Sequence, residues 1–159
     1  MQQRKHKRTR KSVEQKTLEI LNYSMRSEFE LREKLSEFEN FSDEEIDRAV
    51  EYAKYYGYLN DAEYAQLYAE SHIGQKGRNA IKIALLRKGI SQEYIDAALE
   101  TIEEPEEDVA YSLLLQKAGE PHELEDKEYA KLCRFLAGRG FSGSTAYAVL
   151  KRYVDEAVG

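Results

Sequence analysis

The sequence has 159 residues, 34% of them charged, with a net charge of -6, nine glycines, two prolines and one cysteine. That length suits one compact domain or a short array of small modules with a real core, and the abundance of Leu, Ala, Glu and Lys suits helices better than a strand-rich sandwich. A single cysteine, Cys133, excludes an intrachain disulfide and fits a small packed residue in a reducing compartment; no stretch is apolar enough to span a bilayer, and the basic start lacks the apolar run of a signal peptide, so a cytoplasmic protein with no membrane partner is expected.

The charge is unevenly spread. Residues 1–11 carry Arg4, Lys5, Lys7, Arg8, Arg10 and Lys11 and no acid, which leaves 18 basic and 30 acidic side chains on the remaining 148 residues. This segment reads as a disordered basic arm that phosphate would attract through counterion release, ahead of an acidic body that nucleic acid would avoid unless its cations cluster.

Beyond the arm the chain repeats. Three apolar-serine pairs, Phe41-Ser42, Ile90-Ser91 and Phe141-Ser142, lie 49 and 51 residues apart. Each precedes the same helical stripe: Ile46, Ala49, Val50 and Ala53; Ile95, Ala98, Leu99 and Ile102; Ala146, Val149, Leu150 and Tyr153. Each serine suits an N-cap, with the residue before it as a hydrophobic staple, and Glu45 alone completes a capping box.

Upstream of each stripe the spacing predicts two more helices. In repeat 1, residues 12–59, Leu18, Leu21 and Met25 mark one stripe, and Ser27 with Glu30 opens a second helix bearing Leu31, Leu35 and Phe38. In repeat 2, residues 60–104, Asp61 starts a helix with Tyr64, Ala65, Leu67 and Tyr68; after a Gly74 to Gly77 break, Ile81, Leu85 and Leu86 mark the next, which Gly89 ends in a left-handed cap. In repeat 3, residues 105–159, Val109, Leu113 and Leu114 follow Pro105, and Tyr129, Leu132, Cys133 and Leu136 follow the break from Gly119 to Pro121. The expected fold is all-α, with three tandem three-helix repeats forming an elongated curved array.

The junction Gly57-Tyr58-Leu59-Asn60-Asp61-Ala62-Glu63-Tyr64-Ala65 resembles the hallmark turn of the RecX family. Lys76-Gly77-Arg78 with Ile81-Lys82, and then Lys88-Gly89-Ile90-Ser91, are similar to its next signature, which Gly138-Arg139-Gly140-Phe141-Ser142 echoes in the third repeat. The likeness runs from about Leu18 to Val154. It departs from the family at Asn60, where an aspartate is usual, at Glu63, where a base is usual, and by one extra residue between Leu35 and Phe41. Physically, Gly57 supplies positive φ, Tyr58 and Leu59 suit burial between units, and Asp61 suits a helix cap.

Catalytic signals are absent from the pattern. His6, His72 and His122 have no metal-ligand spacing, the carboxylates nominate no catalytic pair, and no cofactor is implied. Glu103, Glu104, Glu106, Glu107 and Asp108 read as a linker and an acidic helix start. Tyr52, Tyr55, Tyr56 and Tyr58, with Tyr64 and Tyr68, suit packing between units with hydroxyls in water better than base stacking. The candidate partner- or DNA-facing cations are Arg26, Arg32, Lys34, Lys76, Arg78, Lys82, Arg87, Lys88, Arg134 and Arg139.

The resemblance implies a non-enzymatic modulator of the RecA recombinase that binds the RecA filament on DNA and inhibits it, in recombination, DNA repair and SOS control. It would be a monomer when free, with at most a weak direct contact with DNA. A RecA-independent nucleic-acid module and a generic helical scaffold stay open as alternatives from the residues alone.

Overall fold

Serine hydroxyls set where five of the described helices begin. In the computed structural model, which describes residues 7–159, Ser12, Ser27 and Ser42 each accept the amide three residues on, and Gln15, Glu30 and Glu45 return a bond to the serine amide. These are three reciprocal boxes, of which the first was not expected. Ser91 and Ser142 accept the amides of Tyr94 and Thr145, which have no group to close a box.

The described residues form nine helices: α1 (Val13–Tyr23), α2 (Glu28–Ser36), α3 (Asp43–Tyr55), α4 (Asp61–His72), α5 (Arg78–Arg87), α6 (Gln92–Glu100), α7 (Glu106–Ala118), α8 (Asp126–Gly138) and α9 (Gly143–Val158). The fold is all-α with three three-helix repeats, as the periodicity predicts. Among the described residues the only extended pairing is an isolated bridge from Lys7 to Phe38.

The chain divides into two compact units, one holding residues up to Ala65 with Leu85–Ile95, the other Gln66–Ala84 with Asp96–Gly159. In the first, α1, α2 and α3 pack around Val13, Leu31, Leu35, Phe38, Phe41, Ile46, Val50 and Leu59. In the second, α7, α8 and α9 close over Leu114, Leu132, Leu136, Phe141, Leu150 and Tyr153. Burial of this apolar surface is the main stabilising term for both.

Three stripes differ from expectation. On α1 the buried residues are Val13 and Thr17, with Ile20 and Leu21 packed beside them, while Met25 is exposed. Thr17 can be buried because its hydroxyl donates to the Val13 carbonyl at 2.7 Å. On α4 Ala65 and Ala69 are buried and Leu67 is exposed, and on α5 Leu86 is exposed beside the fully buried Ile81 and Leu85.

Candidate partner-binding surface

One structural junction occurs in both units. The start of α2 meets the turn after α5: Ser27 Oγ donates to the Lys88 carbonyl at 2.5 Å, and Gly89 lies against Phe29. The start of α5 meets the turn after α8 in the same way, with the Gly77 amide donating to the Arg139 carbonyl at 2.7 Å and Gly140 lying against Ala80. Gly89 and Gly140 have φ of +75° and +86°, and a Cβ on either would overlap its neighbour, so both the turn and the close approach require glycine. The Lys88-Gly89 and Arg139-Gly140 motifs therefore join consecutive repeats.

The turn after α2 is covered differently. Lys7 donates its amide to the Glu37 carbonyl and accepts from the Glu39 amide, and the Thr9 carbonyl accepts from the Asn40 side chain. Lys7 and Arg8 also pair with Glu37 and Glu39 at 2.8 and 2.9 Å, and Lys11 pairs with Glu19. Lys7, Arg8 and Lys11, expected in a free arm, thus have acidic partners on α1 and on the turn after α2. Arg4, Lys5 and His6 lie outside the described residues; Arg10 is exposed, with no ion pair among them.

At the hallmark turn, Gly57 takes a φ of +74° and Leu59 is buried. Tyr58 is exposed rather than buried, and the cap on α4 is Asn60, whose side-chain oxygen accepts from the Glu63 amide at 3.1 Å. Asp61 turns instead toward α2 and accepts the Glu28 amide at 2.9 Å. Burial pushes its carboxyl above the usual range, against the lowering effect of that bond. Asn60 with Glu63 three residues on is a capping signature legible in the sequence. The neighbouring Lys54, which sequence reasoning did not select, pairs with Glu28 and Glu51, and its ammonium is held above its ordinary pKa chiefly by the bond to Glu28.

The candidate cations separate into two groups. Arg32 pairs with Asp47 at 2.5 Å and lies near Glu28. Lys76 donates to the Tyr68 hydroxyl at 3.0 Å, and Lys88 sits 3.7 Å from Glu30 and over the Tyr64 ring. Arg78 donates to the carbonyls of Leu99, Ile102 and Glu104, satisfying the end of α6 and the chain beyond it. Arg139 donates to the Gln75 carbonyl and stacks over Phe135. Arg26 is half-buried, with its Nε unbonded. By contrast Lys34 and Lys82, partly exposed, and Arg87 and Arg134, exposed, have no ion pair among the described residues.

The tyrosines also depart from expectation. Tyr52, Tyr55, Tyr56 and Tyr58 are 44%, 82%, 57% and 56% exposed, and their rings touch one another instead of entering the core. The signal was present: Ile46, Ala49, Val50 and Ala53 already take the inward face of α3, which leaves Tyr52, Tyr55 and Tyr56 outside.

No described group of three His, Cys, Asp or Glu residues could hold a metal ion. His72 stacks on Tyr68, and His122 bridges the Glu120 carbonyl and Glu128. Cys133 is half-buried. Tyr111 donates to Glu156 beneath the Arg152 guanidinium, and burial first, then this bond, pushes its hydroxyl up to about 12; the trio is an internal tie between α7 and α9. No described helix is long and apolar enough to cross a membrane.

Fold and surface together define a helical-repeat protein built from three-helix units joined through basic-glycine turns. Models of the first, second and third three-helix domains of RecX match residues 14–52, 60–99 and 104–150. The chain is 34% identical over 142 residues to the regulatory protein RecX of Clostridium perfringens strain 13, covering 87% of this chain and 66% of that protein, so it spans slightly under two thirds of that relative. It is 31% identical to the regulatory protein RecX of Vibrio vulnificus, covering 82% of this chain and 86% of that one. The crystal structure of RecX from Lactobacillus salivarius shares the fold, with a TM-score of 0.74 at 21% identity over 90% of this chain and 94% of that one. The chain belongs to the RecX family of regulatory proteins.

Proposed function

We propose that this chain is a non-enzymatic regulator of the RecA recombinase that binds the RecA filament on DNA and inhibits it, acting in the cytoplasm in recombination, repair and SOS control. The observation that carries this reading is the ordered match of all three RecX domains along one chain. A protein of tandem repeats suits a polymeric target, because repeats bounded at 12–59, 60–104 and 105–159 can engage successive protomers and sum weak contacts into avidity.

Among the cations, Lys34, Lys82, Arg87 and Arg134 carry the contact in this proposal, since Arg32, Lys76, Arg78, Lys88 and Arg139 are occupied within the chain. Lys7, Arg8 and Lys11 give the arm a structural part in addition to any phosphate contact made with Arg4, Lys5 and Arg10. The free protein is taken as a monomer with weak affinity for bare DNA, consistent with an excess of acids over bases in the chain.

The test is RecA's ATP hydrolysis on single-stranded DNA as this protein is added. Hydrolysis is expected to fall with added protein at constant DNA, and to fall less when Lys34, Lys82, Arg87 and Arg134 are replaced by serine. A rate unchanged by the wild-type chain at saturating concentration contradicts the proposal.

A further inference from the structure

Residues 7–11 lie on the first repeat as a strap. The Lys7 amide donates to the Glu37 carbonyl at 3.1 Å, the Lys7 carbonyl accepts the Glu39 amide at 2.8 Å, and the Asn40 side chain donates to the Thr9 carbonyl at 3.0 Å. These bonds hold the segment along the turn after α2. The corresponding turns after α5 and α8 meet the start of a second helix, at Ser27 and at Gly77, whereas the turn after α2 is covered by the arm.

Charge holds the strap down. Lys7 pairs with Glu37, Arg8 with Glu39 and Lys11 with Glu19, so carboxylates of repeat 1 neutralise all three cations. The bonds from Lys11 first and Lys16 second keep the Glu19 carboxyl below its ordinary range. The six paired side chains are 38% to 79% exposed, and exposed pairs are weak and screened by salt. A phosphate backbone offers the same cations a competing partner, with counterion release as an added gain. Arg10, exposed and with no ion pair among the described residues, is placed to make the first such contact.

We propose that residues 7–11 are a releasable strap: Glu19, Glu37 and Glu39 mask Lys7, Arg8 and Lys11 from the phosphates of a nucleic-acid strand, and a strand that captures these cations lifts the segment off the turn after α2. In the free protein the carboxylates stand in for the strand, which keeps the affinity for bare DNA low. The proposal deepens the weak contact with bare DNA in the reading above and involves neither RecA nor Lys34, Lys82, Arg87 and Arg134.

The test uses the full chain, an oligothymidine at low salt and two variants of equal net charge. Glu37→Gln with Glu39→Gln removes two partners of the strap, whereas Asp43→Asn with Glu44→Gln removes two exposed carboxylates at the start of α3 that pair with no described arm residue. The first variant is expected to bind oligothymidine roughly threefold or more tighter than the second. Hydrogen exchange in the wild-type chain reads the strap itself, through the Glu39 amide bonded to the Lys7 carbonyl. That amide is expected to exchange roughly tenfold or more faster at saturating oligothymidine, and to keep its protection in inorganic phosphate at the same phosphate concentration. Equal affinities of the two variants, a Glu39 amide as protected with the strand as without it, or equal release by inorganic phosphate would overturn the proposal. RecA is absent from every measurement, so failure here is distinguishable from failure of the filament reading.

Discussion

The Asp61 carboxylate accepts the backbone amide of Glu28 at 2.9 Å, so the first residue of α4 caps the first turn of α2, 33 positions away in sequence. Ser27 accepts the Glu30 amide, and the two side chains together satisfy two of the free donors at that helix start. Burial raises the Asp61 pKa, so the folded state favours its protonated form, and its contribution to stability diminishes as pH rises through the folded value. Replacing Asp61 by Ala is expected to cost about 1–2 kcal/mol, as loss of a cap does. Asp61→Asn keeps the acceptor without the buried charge and is expected to cost less at pH 7. Urea unfolding of both variants checks the order.

Gly57, Gly89 and Gly140 share positive φ but not surroundings. A Cβ at Gly57 meets open space, whereas at Gly89 it overlaps Phe29 and at Gly140 it overlaps Ala80. Gly57→Ala is expected to cost about 1–2 kcal/mol for the left-handed backbone alone. Gly89→Ala and Gly140→Ala are expected to cost about 1–3 kcal/mol more through overpacking. Thermal unfolding with all three costs alike would contradict the junction geometry.

Arg78 and Arg87 stand at opposite ends of α5 and predict opposite phenotypes. Arg78 spreads its guanidinium over the Leu99 and Ile102 carbonyls, so Arg78→Lys, which lacks the planar fork, is expected to destabilise the fold by about 1–3 kcal/mol. Arg87 is exposed, with no ion pair among the described residues, and Arg87→Ser is expected to change stability by less than about 0.5 kcal/mol while weakening RecA inhibition. Denaturant midpoints and the ATPase assay separate the two.

His122 lies between α7 and α8, with Nδ1 at the Glu120 carbonyl and Nε2 at 2.5 Å from Glu128. The Glu120 carbonyl first and Glu128 second raise its pKa above the ordinary 6.5, so the folded state favours the imidazolium. Its stabilisation is complete below the unfolded pKa and is lost as pH rises through the folded one. An NMR titration is expected to give a midpoint above 6.5 that Glu128→Gln lowers; a midpoint unmoved by that change would contradict the pairing.

Much of this architecture was legible in the sequence. Ser27, Ser42, Ser91 and Ser142 mark helix starts through local hydrogen bonds, Gly57 and Gly89 mark stops, and the 49- and 51-residue spacing gives the repeat. Asn60 and Asp61 are both competent caps; Glu63 three residues on marks Asn60 in the sequence, while the turn of Asp61 toward the Glu28 amide, 33 positions away, has no local signal. The role of Arg78 was equally hidden, because its acceptors lie 21 to 26 residues away. A basic residue in a motif carries no mark that tells a carbonyl partner inside the chain from a partner outside it.

Anisotropy of the labelled protein with single-stranded DNA, bare or coated with RecA and nucleotide, at moderate salt, separates filament binding from DNA binding. Tight binding to the coated strand alone is expected, weakened when Lys34, Lys82, Arg87 and Arg134 are replaced by serine. Equal binding to bare and coated DNA would contradict it.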